Sequence, residues 1–215
     1  MGSNRLSRTD TSTGCRPRKE VDRTARKAVA GNGIGIATND SKRPLRIPRD
    51  AENKHFLIHQ DLALLAESQA EAFQHLDQAE AVLQGPGAMS EADRIEQLAR
   101  ILRLRARLAA EAGNLEMAGS TVARLQKMVR ANPNDNGIER AYNGANGALL
   151  AKQSKFGAAI EALQEDPEDP FSLAKLAELL AAWGNVQDAA EISARLKADY
   201  GTSLEDWLVV RKSRP

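Results

Sequence analysis

The chain contains a single cysteine, Cys15, in 215 residues. No disulfide framework and no thiolate metal cluster can therefore form within it. Aromatic residues are nearly as scarce, at 4% of a composition that is 42% apolar, and alanine and leucine supply most of the apolar surface. Such a composition favours closely packed helices over a β sandwich. No run approaches the roughly 20 apolar residues that a membrane-spanning helix needs. The opening MGSNRLSRTD lacks the apolar core of a signal peptide, and Leu6 stands where a myristoylation signal needs Ser or Thr. With no visible export signal and no cysteine framework, a cytoplasmic location is the expectation.

The length suits one domain with or without a tail. Residues 1–54 carry 13 Lys/Arg against 6 Asp/Glu, whereas residues 55–215 carry 17 against 23, so the net charge of +1 conceals a basic head and an acidic body. The first aromatic residue of the chain is Phe56. Ahead of it, large apolar residues stand singly among polar ones and cannot bury enough surface to offset the entropy of ordering, so residues 1–54 are expected to be disordered. Within this head, Gly31, Gly33 and Gly35 form a glycine-rich turn beside Lys27, Lys42 and Arg43. The turn lacks the Gly-Lys-Ser/Thr of a Walker loop, and Ile36 stands where a dinucleotide loop has its third glycine. The positive charge allows weak, salt-dependent association with nucleic acid, but the head offers no aromatic platform for single strands. A tag or a processed leader would have the same composition.

The body opens with HFLIHQDLALLA. His55 and His59 are four apart and share a helix face, as zinc-binding histidines do. Phe56 replaces the glutamate of the metalloprotease pattern, and His75 follows His59 by sixteen residues, off helical spacing. A fraying first helical turn is the plainer reading. The same stretch touches the kinase catalytic-loop pattern, but Ala66 stands in place of its asparagine and no Asp-Phe-Gly follows.

From residue 55 onward the periodicity predicts eight helices divided by short breakers: 56–84 (with a possible division near 67–69), a helix capped by Ser90 to about 112, then 115–131, 137–152, 156–164, 170–183, 186–198 and about 203–211. Three breaks share a layout: AGNLEMAGST at 112–121, QSKFGAAIEA at 153–162 and WGNVQDAAEI at 183–192. In each, a helix stops, restarts at an apolar residue (Leu115, Phe156, Val186) and reaches an alanine three residues later. The small pairs twelve apart are Ala106 with Ala118, Gly147 with Ala159, and Ala177 with Ala189.

These pairs, with Leu150 and Leu180 and the Asn132-Pro133 and Asp166-Pro167 punctuation, resemble the tetratricopeptide (TPR) repeat over roughly residues 95–200. The copies are degenerate: Leu102, Asn143 and Leu173 replace the aromatic of the first helix, and the unit spacing is 41 and then 30 residues, on either side of the family's ~34. The resemblance implies an all-α fold, a right-handed α-solenoid of antiparallel helical hairpins. A closing helix with an apolar face of Leu204, Trp207 and Leu208 would cap it.

No constellation of nucleophile, base and orienting group is visible, and the carboxylates are expected on solvated faces or in loops such as QEDPEDP. A non-catalytic chain without cofactor or metal is therefore expected. In the resembled family the first helices line a concave groove that binds protein segments. Arg100, Arg103 and Arg107 share one such face and could clamp an acidic segment or a carboxylate. Ala141, Gly144, Ala148 and Lys152, then Phe171, Ala174 and Glu178, would continue the groove. Against this, Glu96 lies four before Arg100 and Glu111 four after Arg107, so intrahelical pairing would account for the same arginines. Asn143 and Asn146 would bond either a bound peptide or a neighbouring helix. The expectation is a scaffold that binds a protein or peptide segment, with Arg100, Arg103, Arg107, Asn143, Asn146 and Lys152 as contacts. The alternatives are the repeat or sensor portion of a larger bacterial signalling protein, or nucleic-acid association through the head.

Overall fold

The computed structural model describes residues 54–86, 89–198 and 204–212, without the side chains of 210–212. All of these fall in the second of two units into which the chain divides, Ile47–Pro215. The basic head, its glycine-rich turn and Cys15 lie outside the described residues. The described residues are all-α, with no strand and nine helices: α1 His55–Leu65, α2 Gln69–Gln84, α3 Glu91–Glu111, α4 Leu115–Ala131, α5 Asn136–Lys152, α6 Phe156–Gln164, α7 Pro170–Ala182, α8 Val186–Ala198 and α9 Leu204–Lys212. None is long and apolar enough to cross a membrane.

One helix more than the expected eight arises because the run 56–84 divides. Ser68 takes an extended backbone and its side chain accepts from Glu71 N–H at 3.2 Å, which starts α2 afresh. Elsewhere the starts follow the same chemistry. Ser90 accepts from Asp93 N–H at 3.1 Å, Asn114 from Met117 N–H at 3.0 Å, and Asp135 from Gly137 and Ile138 N–H. Each such cap is worth about 1 kcal/mol, because it satisfies an amide that the helix leaves without a partner.

The three like breaks have one geometry. Asn114 N–H donates to Ala109 C=O at 2.8 Å, Lys155 N–H to Leu150 C=O at 3.0 Å, and Asn185 N–H to Leu180 C=O at 2.8 Å. The residue before each is left-handed: Gly113 at φ 80°, Ser154 at φ 60° and Gly184 at φ 88°. This is a Schellman stop, in which a left-handed residue turns two amides back onto the last carbonyls. The next helix begins at once, so α3/α4, α5/α6 and α7/α8 are tight hairpins. Leu115, Phe156 and Val186, which open the second helices, remain 41%, 45% and 65% exposed.

The core runs through the helices in three clusters, the first two sharing Phe73 and Leu98. Leu76, Leu83, Ile101 and Leu104 join α1 and α2 to one side of α3; Leu102, Ala106, Ala118, Leu125 and Ile138 join its other side to α4 and α5. A third cluster, including Ala151, Ala159, Leu163, Leu176 and Ala189, ties α5 and α6 to α7 and α8. Leu76, Ile101, Leu102, Leu125, Ile138 and Leu163 are almost wholly buried, each stabilising by roughly 1.5–3 kcal/mol. Beyond the hairpin partners, α3 packs on α5 and α5 on α7, so the first helices of successive hairpins adjoin. Small residues allow this approach. A Cβ on Gly147 would stand 2.6 Å from Leu163 Cγ and 3.3 Å from Ala159 C=O.

Candidate functional site

An open cavity of about 880 Å³ lies along this row of first helices. Its floor is small: Gly144, Ala148 and Ala151 from α5, then Ala174, Ala177 and Ala181 from α7. Apolar walls come from Phe171, Leu163, Leu196 and Val209. Around them stand four cations, Arg107, Lys152, Lys175 and Lys197, against two carboxylates, Glu111 and Glu178. Helical periodicity produces this surface: residues 144, 148, 151 and 152 fall on one face of α5, and 171, 174, 175 and 178 on one face of α7.

The three arginines of α3 have three different fates. Arg100 is exposed and pairs with Glu96 of its own helix at 2.7 Å, outside the cavity. Arg103 turns across to the α6–α7 connection, where Nη1 donates to both Asp166 oxygens at 3.1 and 3.2 Å and Nη2 lies 3.0 Å from Asp169 Oδ1. Arg107 lines the cavity. It pairs with Glu111 at 3.3 Å and places its guanidinium 3.5 Å from the centroid of the Phe171 ring. Lys152 also lines the cavity and donates to the Glu111 carbonyl at 3.4 Å, so Glu111 lies between the two cations. Asn143 and Asn146 are half-buried on α5 and lie outside the cavity, as does the buried Ala141.

Two of the four carboxylates of QEDPEDP correct the sequence reading, whereas Glu165 and Glu168 are exposed as expected. Instead of lying in a solvated loop, Asp166 is 0% and Asp169 4% exposed. Asp169 has two tasks, since Oδ2 caps α7 through Ser172 N–H at 2.8 Å while Oδ1 faces Arg103. Asp166 Oδ2 accepts in addition from Ser172 Oγ–H at 2.8 Å. Burial pushes the Asp166 carboxyl above the ordinary range, with repulsion from Asp169 adding to the rise and Arg103 opposing it. Burial works against the charge of Arg103, yet Asp169, Asp166 and Glu205 together hold its pKa above the usual value.

Arg107 goes the other way. Its burial outweighs Glu111 and lowers its pKa, Arg103 adds repulsion, and its Nη2 is buried without a hydrogen-bond partner. A buried, incompletely paired guanidinium favours the arrival of an anion. Comparison with family models, curated proteins and solved structures finds no match for this chain.

Lys175, Lys197 and Val209 were not among the sequence candidates. Lys175 was legible in the sequence, because it stands one turn after Phe171 on the helix face that holds Ala174 and Glu178. Lys197 lies on a second helix. It lines the cavity from α8. The closing helix also differs from its expected orientation: Val209 is 6% exposed and enters the cavity wall, whereas Trp207 is 44% exposed.

At the other end of the body, two of the three histidines come together. The rings of His59 and His75 stack with centroids 5.7 Å apart, and both Nδ1 atoms are buried without a hydrogen-bond partner. Among the described residues no group of three or more His, Cys, Asp or Glu is placed to hold a metal ion.

Proposed function

We propose that the chain is a non-catalytic scaffold of tetratricopeptide type, a right-handed α-solenoid of hairpins whose groove binds a segment of another protein. The observation that carries this reading is the open cavity of about 880 Å³, with its alanine and glycine floor and Arg107, Lys152, Lys175 and Lys197 around it. A floor of small residues leaves room for a bound backbone and its side chains. An excess of positive charge at the rim favours acidic segments and speeds their encounter. Three Schellman hairpins of one geometry, with first helices adjoining, support the repeat reading.

Of the candidate arginines, Arg107 is assigned the contact role. Arg103 holds the connection between α6 and α7, and Arg100 is spent on Glu96. Arg107 alone of the three faces the cavity.

Peptides selected on the intact protein from a random displayed library provide the test. Binders should be enriched in Asp and Glu. They should lose at least tenfold in affinity to Ala148→Trp, which fills the floor, and to Arg107→Gln, while Lys127→Gln on the exposed face of α4 changes nothing. Arg103 is unsuited to this test, since its removal strands two buried carboxylates at a cost of about 3–5 kcal/mol. Selected peptides that bind Ala148→Trp as well as the parent chain would dismiss the groove.

A further inference from the structure

One helix of this chain closes part of the groove as one of its walls. Helix α9 packs on α7 and α8, and its Val209 is buried as part of the cavity wall. One turn earlier on the same face, Glu205 lies within electrostatic range of Arg103 and Arg107. The two positions are four apart, so a single helix face carries a carboxylate within electrostatic range of the arginines and an aliphatic side chain that forms part of the apolar wall. Acidic Glu205 and Asp206 also stand in the first turn of α9, where the helix dipole favours negative charge.

The fit is imperfect in a specific way. Glu205 also faces Asp169, and the Asp206 carboxylate beside it is of the same sign. Arg107 keeps a buried Nη2 without a hydrogen-bond partner even with α9 in place. The bound helix therefore matches the groove in kind and leaves some of its binding capacity unused.

We propose, building on the groove reading above, that the partner is an amphipathic helix with an acidic residue four before an aliphatic one, and that α9 is an internal copy which the partner displaces. Displacement lets the chain keep the apolar surface beneath Val209 covered when no partner is present. It also sets a threshold, because the apparent affinity of an outside helix is reduced by the fraction of molecules in which α9 is seated.

The test uses the full chain and a labelled synthetic peptide of residues 203–215, SLEDWLVVRKSRP. In the full-length double variant Glu205→Arg, Val209→Asp, hydrogen exchange should show the amides of 204–212 freed while α3 to α7 stay protected. That variant should bind the peptide at least tenfold more tightly than the parent chain. A peptide carrying Glu205→Arg should lose most of this affinity. The single variant Glu205→Arg serves if the double variant fails to fold. Equal binding of the peptide by parent and variant, or none by a folded variant with α9 released, would overturn the proposal. If library-selected peptides still respond to Ala148→Trp in that case, the groove stands and only its internal ligand falls. If they do not respond, the groove reading has failed with it.

Discussion

The Asp166 carboxylate rests against the backbone of Gly144, so close that a Cβ on Gly144 would stand 2.1 Å from Asp166 Oδ2. The same Cβ would meet Ser172 Oγ at 2.8 Å. A carboxylate at the end of a side chain could ordinarily swing aside, but this one is held by Arg103 from one side and Ser172 from the other. Alanine at 144 must therefore break at least one buried charged hydrogen bond. Helix propensity alone would favour the change by about 1 kcal/mol. Overpacking opposes it by about 1–3 kcal/mol and loss of a charge-assisted bond by about 1.5–3, so a net destabilisation of about 1.5–5 kcal/mol is expected in urea melts. Asp166→Ala should remove the larger conflict, and adding Gly144→Ala to it should then cost much less, because only the Ser172 hydroxyl, freed from its carboxylate, has to rotate aside. Equal costs in both backgrounds would rule out the contact.

The helix boundaries were legible because they are decided locally. Ser90, Asn114, Asp135 and Asp169 each bond an amide two or three residues ahead, a relation that can be read along the chain. The alanine and glycine pairs were legible for a similar reason, since twelve residues across a tight hairpin return the chain to its own neighbour. The Arg103–Asp166 pair is 63 residues apart and joins a helix to a connection three elements later. Nothing at either position distinguishes that arginine from Arg100 or Arg107 until α5 and α7 are stacked. The groove face was thus visible on α5 and α7 as helical periodicity. Its paired and unpaired charges depended on tertiary placement, as did the approach of α9.

The three hairpin stops offer a second measurement. Ser154 holds φ 60°, where its counterparts Gly113 and Gly184 hold 80° and 88°. An L residue with a Cβ is strained in that region by about 1–2 kcal/mol, which glycine escapes at some cost in the entropy of the unfolded chain. Ser154→Gly should accordingly raise stability by about 0.5–1 kcal/mol. Gly184→Ala should lower it by about 1 kcal/mol through backbone strain, because a Cβ there meets nothing within 4 Å. Thermal melts of the two variants should move in opposite directions. A shift of the same sign in both would mean that the stops are not equivalent.

The histidine stack makes the α1–α2 hairpin sensitive to acid. Burial lowers the pKa of His59 from 6.5, with repulsion from His75 and His55 adding to the shift. A folded-state value below the unfolded one means that the unfolded chain binds the proton more readily. The contribution of His59 is therefore complete above its unfolded pKa and is lost as pH falls through the folded value. Between about pH 8 and about pH 5, amides of α1 should exchange faster relative to those of α5, which has no histidine. His59→Gln should flatten that dependence, because the neutral amide takes up no proton. His75→Gln should flatten it partly, by removing the repulsion from His75 while leaving the desolvation of His59 in place. If α1 opens equally with acid in the parent and in His59→Gln, the pH response arises elsewhere and the stacked pair is only a packing contact.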